Sequence, residues 1–394
     1  MIELPKTSID FENTEIAFEA KSDAALKKAA LLFRLMNNAT LVKVSSKLGL
    51  LALQLRLPVQ GMIKKTIFEQ FCGGTSLLNS QQTIDSLSAF GVQSILDYGA
   101  EGKEEEEDFN RTMREILKAI KFASQNTHVP FVSVKVTGLG RFALLEKYQN
   151  KGNLTSAEED EFEYIFKRLD SICNAGMMHN VGVFVDAEES WIQDTVDYMV
   201  NTMMGRYNSE RAVVYNTFQL YRHDRLAYLK KSFKMAKQQG FILGAKLVRG
   251  AYMDKERARA KQKGYPSPIQ PNKTRADEDY DEAVKFCVEN YEHIASCTAT
   301  HNAKSCRKQV ELIEQKKLPK AHPHFLFSQL YGMSEHLTFN LQKAGFNTAK
   351  YIPYGPVKDV VPYLIRRAEE NTSVTGDMGR ELSLIQKEIK RRGL

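Results

Sequence analysis

The chain reads as an α/β protein, a distorted (β/α)8 barrel of the TIM type preceded by an N-terminal helical region. Three observations predict it. Beyond residue 90, eight short runs rich in β-formers recur, and each is followed by a segment whose apolar residues have helical spacing. Eight such units in series are the count of a closed parallel barrel. No GxGxxG follows the first run, which removes the usual mark of the runner-up, an open doubly wound sheet; GLGRFA at 138–143 is only a partial match.

In chain order, residues 22–88 place apolar side chains at helical intervals, among them Leu31, Leu32, Leu35 and Met36, then Val44, Leu48, Leu51 and Leu55. The section Leu41–Arg56 has an apolar face with Lys43, Lys47 and Arg56 about it. That pattern fits packing against a core and also a membrane surface, so a peripheral membrane contact stays open. Phe71-Cys72-Gly73-Gly74-Thr75 breaks the helices. The predicted strands are 93–98, 131–137, 181–187, 213–220, 241–248, 297–301, 324–330 and 349–354. The predicted helices are 105–124, 156–177, 190–204, 224–239, 276–294, 303–316, 334–345 and 357–371. The acidic run Glu104–Asp108 suits the first turn of the first barrel helix, where the helix dipole favours negative charge. Residues 253–275 form a long basic connection that suits either an anionic ligand or open solvent. The domain plan is a helical region 1–90, a barrel 91–375 and a C-terminal helix 376–394.

Composition narrows the functional classes. Lys plus Arg exceed Asp plus Glu by 55 to 48, but the excess is dispersed and no basic-aromatic patch points to nucleic acid. Five cysteines without a CxxC pair suit a reducing compartment. The first residues carry neither an apolar signal core nor an Arg-rich transit pattern, and no apolar run approaches the ~20 residues of a membrane span. The expectation is a soluble or peripheral protein, cytoplasmic if bacterial. No HExxH, Cys/His group or carboxylate cluster has metal spacing, and no GxSxG nucleophile elbow is present.

In such a barrel the active site lies at the C-terminal ends of the strands. Lys135 in VSVKVTG, Asp186 in VFVDAEE and Lys246 in GAKLVRG put charge into apolar strands, which is costly unless the charge is paired or bound to a ligand. Thr137, Ala187, Glu188, Gln219, Val248, Arg249, Thr300 and His301 fall at the same ends. On the last barrel helix Tyr363 and Arg367 are four apart, as are Arg366 and Glu370. Paired guanidinium groups suit a small carboxylate, whose two oxygens they bind at once.

FVDAEES, TFQLYRHDRL, AKLVRGAYMDKE, ATHN and YIPYGP followed by YLIRRAEEN, in this order over residues 90–375, resemble the proline dehydrogenase family. The resemblance implies non-covalent FAD, oxidation of L-proline to Δ1-pyrroline-5-carboxylate by hydride transfer from C5 to flavin N5, and a quinone as electron acceptor. It also implies roles. Lys135, Arg366 and Arg367 would hold the proline carboxylate, and Leu247, Tyr351 and Tyr363 would wall the ring. Asp186 and Lys246 would be the catalytic-site pair, Lys246 standing near flavin N5 where many relatives carry arginine. Ala187, Gln219, Val248, Arg249, Gly250, Thr300, His301 and Glu370 would contact FAD. Gly250 makes independent sense, because backbone must approach a flat cofactor closely. Two other classes compete on the residues alone: a barrel lyase or aldolase with Lys135 or Lys246 as a Schiff-base amine, and a non-catalytic anion binder resting on net charge.

Overall fold

A computed structural model describes residues 9–38, 42, 60–99, 104–361, 363–365 and 377–394. The strands β1 (Gln93–Tyr98), β2 (Phe131–Val134), β3 (Gly182–Val185), β4 (Val214–Gln219), β5 (Leu243–Val248), β6 (Ile294–Ala299), β7 (Phe325–Leu330) and β8 (Thr348–Tyr354) form a closed barrel in sequence order. A helix follows each strand from β1 to β7, and residues 357–361 and 363–365 are helical after β8. The predicted barrel is therefore the observed architecture. Two compact units divide the chain, Met1–Gly99 with Ser328–Leu394, and Ala100–Phe327.

In the unit Ala100–Phe327, β2 to β6 pair in parallel. An aromatic layer fills the start of this sheet: Phe131 stacks on Phe184 at 4.6 Å, and Tyr215 meets both rings edge-on. Gly182 pairs with Phe131 and makes room for its ring, since a Cβ there would lie 2.3 Å from it. Helix Ser156–Met178 starts with a capping box in which Thr155 and Glu158 satisfy each other's backbone amides. The acidic run opens helix Glu106–Ser124, as expected from the dipole.

Two readings change here. The sixth strand begins at Ile294 and ends at Ala299, earlier than 297–301, because helix Lys273–Glu289 stops at Asn290, whose side chain donates to the Phe286 carbonyl at 2.8 Å. The basic connection is folded: it contains helix Met253–Lys263, ended by left-handed Gly264. Beyond the helix, Arg222 bridges Ile269 and Gln270 N donates to Tyr221 O at 2.8 Å. Only Glu256 and Ala260 of the helix are buried, so its sequence carries no apolar stripe to reveal it.

In the other unit, β1 and β8 pair from Gln93↔Ala349 to Tyr98↔Tyr354. Helices Thr14–Phe18, Asp23–Met36 and Asp377–Arg391 contribute to a core that includes Phe18, Phe33, Phe71, Met333, Leu364 and Ile385. Residues 72–76 break the helices as predicted. The buried side of Asp23–Met36 is Leu26, Ala29, Ala30, Phe33 and Met36, while Leu31 and Leu35 face solvent. Of the section Leu41–Arg56 only Val42 is described, and it is buried; the membrane-surface reading lies outside the described residues. Among the described residues no helix is long and apolar enough to cross a membrane.

Candidate active site

The site is built first from strand ends. β2 stops at Val134, so Lys135 is the next residue, extended at φ −107°, and a tight turn Val136–Gly138 follows. β3 stops at Val185, and Asp186 N donates to Val134 O at 2.9 Å, which holds the two ends side by side. Lys246 lies within β5, over the Phe184 ring at 5.4 Å. Its Nζ donates to Asp186 Oδ1 at 2.6 Å, while Lys135 Nζ stands 3.4 Å from Oδ2. Since β4 separates β3 from β5 in the sheet, the Lys246–Asp186 contact spans the strand between them.

The lysine side chains are 8% and 15% exposed and that of Asp186 is 13% exposed, so little water screens the three charges. Two ammonium groups share one carboxylate, leaving one positive charge in excess within the triad. Such a group suits an anionic ligand. It does not suit a Schiff-base nucleophile, because an ammonium bonded to a carboxylate has no lone pair with which to attack a carbonyl.

A second group adjoins the end of β5. Arg249 donates Nε to Asp277 Oδ1 at 2.7 Å, Nη1 to Thr300 Oγ1 at 2.7 Å and Nη2 to Ser305 Oγ at 3.0 Å. Its guanidinium covers the Tyr280 ring at 4.3 Å. Burial pushes the Asp277 carboxyl up, but Lys273 and Arg249 outweigh this and hold it below the usual carboxylate range. Gly250 follows at φ 140°, and a Cβ there would lie 2.3 Å from the Tyr221 ring. Thr300 is buried and His301 half-buried just past β6; Asn302 caps helix Ala303–Gln315 by accepting from Lys304 N at 2.9 Å. Arg249, Lys273 and the Thr300 hydroxyl bring cationic and hydroxyl groups that fit an anionic dinucleotide, while the missing Cβ of Gly250 makes room for the Tyr221 ring.

Ala187, Gln219 and Leu247 are buried at neighbouring strand ends, with Val248 half-buried. Gln219 Nε2 donates to Glu188 O at 2.7 Å. In the other unit Tyr351 is buried in β8, its carbonyl accepting from Tyr331 N at 2.9 Å, and Tyr363 lies among the apolar core residues. Arg366, Arg367 and Glu370 lie outside the described residues. Part of the sequence signal proves to be scaffold: in YRHDRL, Arg222 forks onto Asp224, and Arg225 donates to buried Asp197 at 2.6 Å. Asp277, Asp281 and Ser305 were not found from sequence, because they lie on helices. Their only signal was the i,i+4 spacing of the two acids after a long connection. Among the described residues no group of His, Cys, Asp and Glu could hold a metal.

Closed barrel and charged strand ends define a βα-barrel enzyme. Residues 80–380 match the family model described as proline dehydrogenase. The mitochondrial proline dehydrogenase 1 of Dictyostelium discoideum is 31% identical over 411 residues, 93% of this chain and 71% of that one. The carbapenem antibiotics biosynthesis protein CarD of Pectobacterium carotovorum subsp. carotovorum is 33% identical over 364 residues, covering 92% and 94%. Among solved structures, proline utilization A from Bdellovibrio bacteriovorus, inactivated by N-propargylglycine, superposes with a TM-score of 0.72 at 21% identity. That match covers 92% of this chain but 38% of the other, and it speaks for the fold. The chain belongs to the proline dehydrogenase family.

Proposed function

We propose that the protein oxidises L-proline to Δ1-pyrroline-5-carboxylate with non-covalently bound FAD and passes the electrons to a quinone. The observation that carries this reading is the strand-end triad Lys135–Asp186–Lys246, cationic overall and not fully buried, in a chain of this family. FAD supplies the hydride acceptor, at N5, for the hydrogen leaving proline C5. The chain's own residues do the rest. Lys135, with Arg366 and Arg367, holds the carboxylate, and Leu247, Tyr351 and Tyr363 bound the ring, fixing C5 for transfer. Asp186 keeps the Lys135 and Lys246 ammonium groups in place, and Lys246 would supply positive charge to a reduced cofactor. Ala187, Gln219, Val248, Arg249, Gly250, Thr300, His301 and Glu370 hold FAD. The proline nitrogen must be unprotonated when the hydride leaves C5.

The purified protein should be yellow, and L-proline added without oxygen should bleach the flavin band. A colourless protein that gains no activity with added FAD contradicts the reading. Arg366→Met and Arg367→Met should each lower kcat/KM for proline roughly ten- to a hundredfold, the size of a lost charged hydrogen bond. Wild-type kinetics in both would remove the two arginines from the carboxylate.

A further inference from the structure

Glu188 has no part in the reaction described above, yet it is the most constrained carboxyl near the triad. It is 4% exposed. Its two oxygens accept from one residue, Oε1 from Thr137 N at 3.1 Å and Oε2 from Thr137 Oγ1 at 2.5 Å. Its backbone is pinned as well: Glu188 N donates to Gln193 Oε1 at 2.8 Å, and its carbonyl accepts from Gln219 Nε2 at 2.7 Å. Thr137 sits two residues past Lys135, in the turn whose Gly138 N donates to Lys135 O at 3.0 Å. Glu188 therefore ties the turn that carries Lys135, through its carboxyl, to a backbone held by β4 and by helix Ser190–Tyr207.

We propose that Glu188 is a positioning residue for Lys135, acting through Thr137 to hold the Lys135 turn in place, and that its charge sets how strongly the triad draws an anion. The proposal deepens the proposed function and rests on Lys135 as a carboxylate ligand. The charged groups facing Glu188 are Lys135 from the turn after β2 and Glu189 from its own loop; Glu189 is paired at 2.9 Å with Lys255 of helix Met253–Lys263. Burial pushes the Glu188 carboxyl up to about 7, against the hydrogen bonds of Thr137 and the charge of Lys135. Ionised, it cancels the excess positive charge of the triad; protonated, it leaves that charge for a ligand. A bound carboxylate therefore favours protonated Glu188, and by linkage its binding takes up a proton near neutral pH.

Cyclopentanecarboxylate keeps the ring and the carboxylate but has no C–N bond to oxidise. Its binding to the FAD-loaded protein can be followed calorimetrically from about pH 6 to about pH 9, in two buffers of different ionisation enthalpy. Wild type should take up a proton on binding and lose affinity as pH rises, by at most about tenfold per unit. Glu188→Gln should abolish the uptake and flatten the profile. Thr137→Val removes the hydroxyl that favours the ionised carboxyl, so its profile should fall at higher pH. If Lys135→Met binds as tightly as wild type, the carboxylate reading fails and the proposal with it. If Lys135→Met weakens binding while Glu188→Gln and Thr137→Val keep the wild-type midpoint and uptake, the reading stands and the role of Glu188 is overturned.

Discussion

Lys350 and Lys246 look alike in sequence and stand in different surroundings. Each follows an alanine in an apolar strand, in TAKYI and GAKLV. Lys350 is fully buried, bonded to Glu335 at 2.9 Å and to the Met333 carbonyl at 2.5 Å, with Lys21 on the same acid at 3.5 Å. Burial lowers the pKa of Lys350, and Glu335 recovers only part of the loss. Burial pushes Glu335 up, but Lys350 and Lys21 outweigh it and hold the carboxyl below its usual range. The two Lys350 bonds join β8 to the segment around helix Glu335–Lys343, and Lys21 joins that segment to the N-terminal region, so this lysine fastens the fold. Lys246 instead shares Asp186 with a second lysine, and all three side chains keep some exposure. Under the proposed function, what separates the fastening charge from the working one is the solvent left to it, along with its partners.

The largest way to break this contrast is Glu335→Ala. It strands Lys350 in a dry site, and losing one partner of a buried pair costs about 3–5 kcal/mol. The thermal midpoint should fall by about 4–6 °C. A midpoint that stays put would mean the Lys350 cluster does not hold this unit together.

Tyr351→Ser tests the pocket reading of the neighbouring residue in β8. The buried ring leaves no volume for a hydroxyl group at proline C4 if it lines that edge. Wild type should oxidise proline far better than trans-4-hydroxy-L-proline, and the variant should shift the kcat/KM ratio toward the hydroxylated substrate by about tenfold. General destabilisation would lower both values alike, so an unchanged ratio would remove Tyr351 from the C4 side.

The smallest effect is a pH dependence beside Lys350. Glu381 of helix Asp377–Arg391 accepts from Ser334 N at 3.1 Å and Ser334 Oγ at 3.2 Å, and burial pushes it up to about 7. Its folded pKa lies above the unfolded one, so the stability it contributes is fully present below about 4.5 and is lost as pH rises through about 7. Glu381→Gln keeps an acceptor and removes the titration. Above neutral pH it should raise the thermal midpoint by about 1–3 °C relative to wild type, with the difference shrinking toward pH 5. A constant difference across that range would place the titration elsewhere.

The barrel was legible because period-2 and helical patterns alternate along a chain whose sheet is parallel. Lys135, Asp186 and Lys246 were legible because a charge in an apolar strand is expensive and three strands carried one near the same end. Lys350 met the same criterion, but its acid lies on a helix before its own strand, and no spacing rule joins the two. Glu188 and Thr137 were visible only as strand-end positions, since their mutual bond crosses 51 residues of sequence. Helix Met253–Lys263 was hidden for a different reason: it is held largely by polar contacts, Lys255 paired with Glu189 and Glu256 accepting from Ser190, and these leave no periodic apolar signal.

Under the proposed function the strand-end triad binds the substrate while contributing little that the fold depends on. An anaerobic L-proline titration of the flavin band in Lys135→Met, with its thermal midpoint measured alongside, tests this most directly. Half-bleaching should require at least about tenfold more proline than in wild type, because one charged hydrogen bond to the carboxylate is gone. The midpoint should move by less than about 2 °C, because Asp186 keeps Lys246. Half-bleaching at the wild-type concentration, or a fall in midpoint as large as that expected for Glu335→Ala, would contradict this.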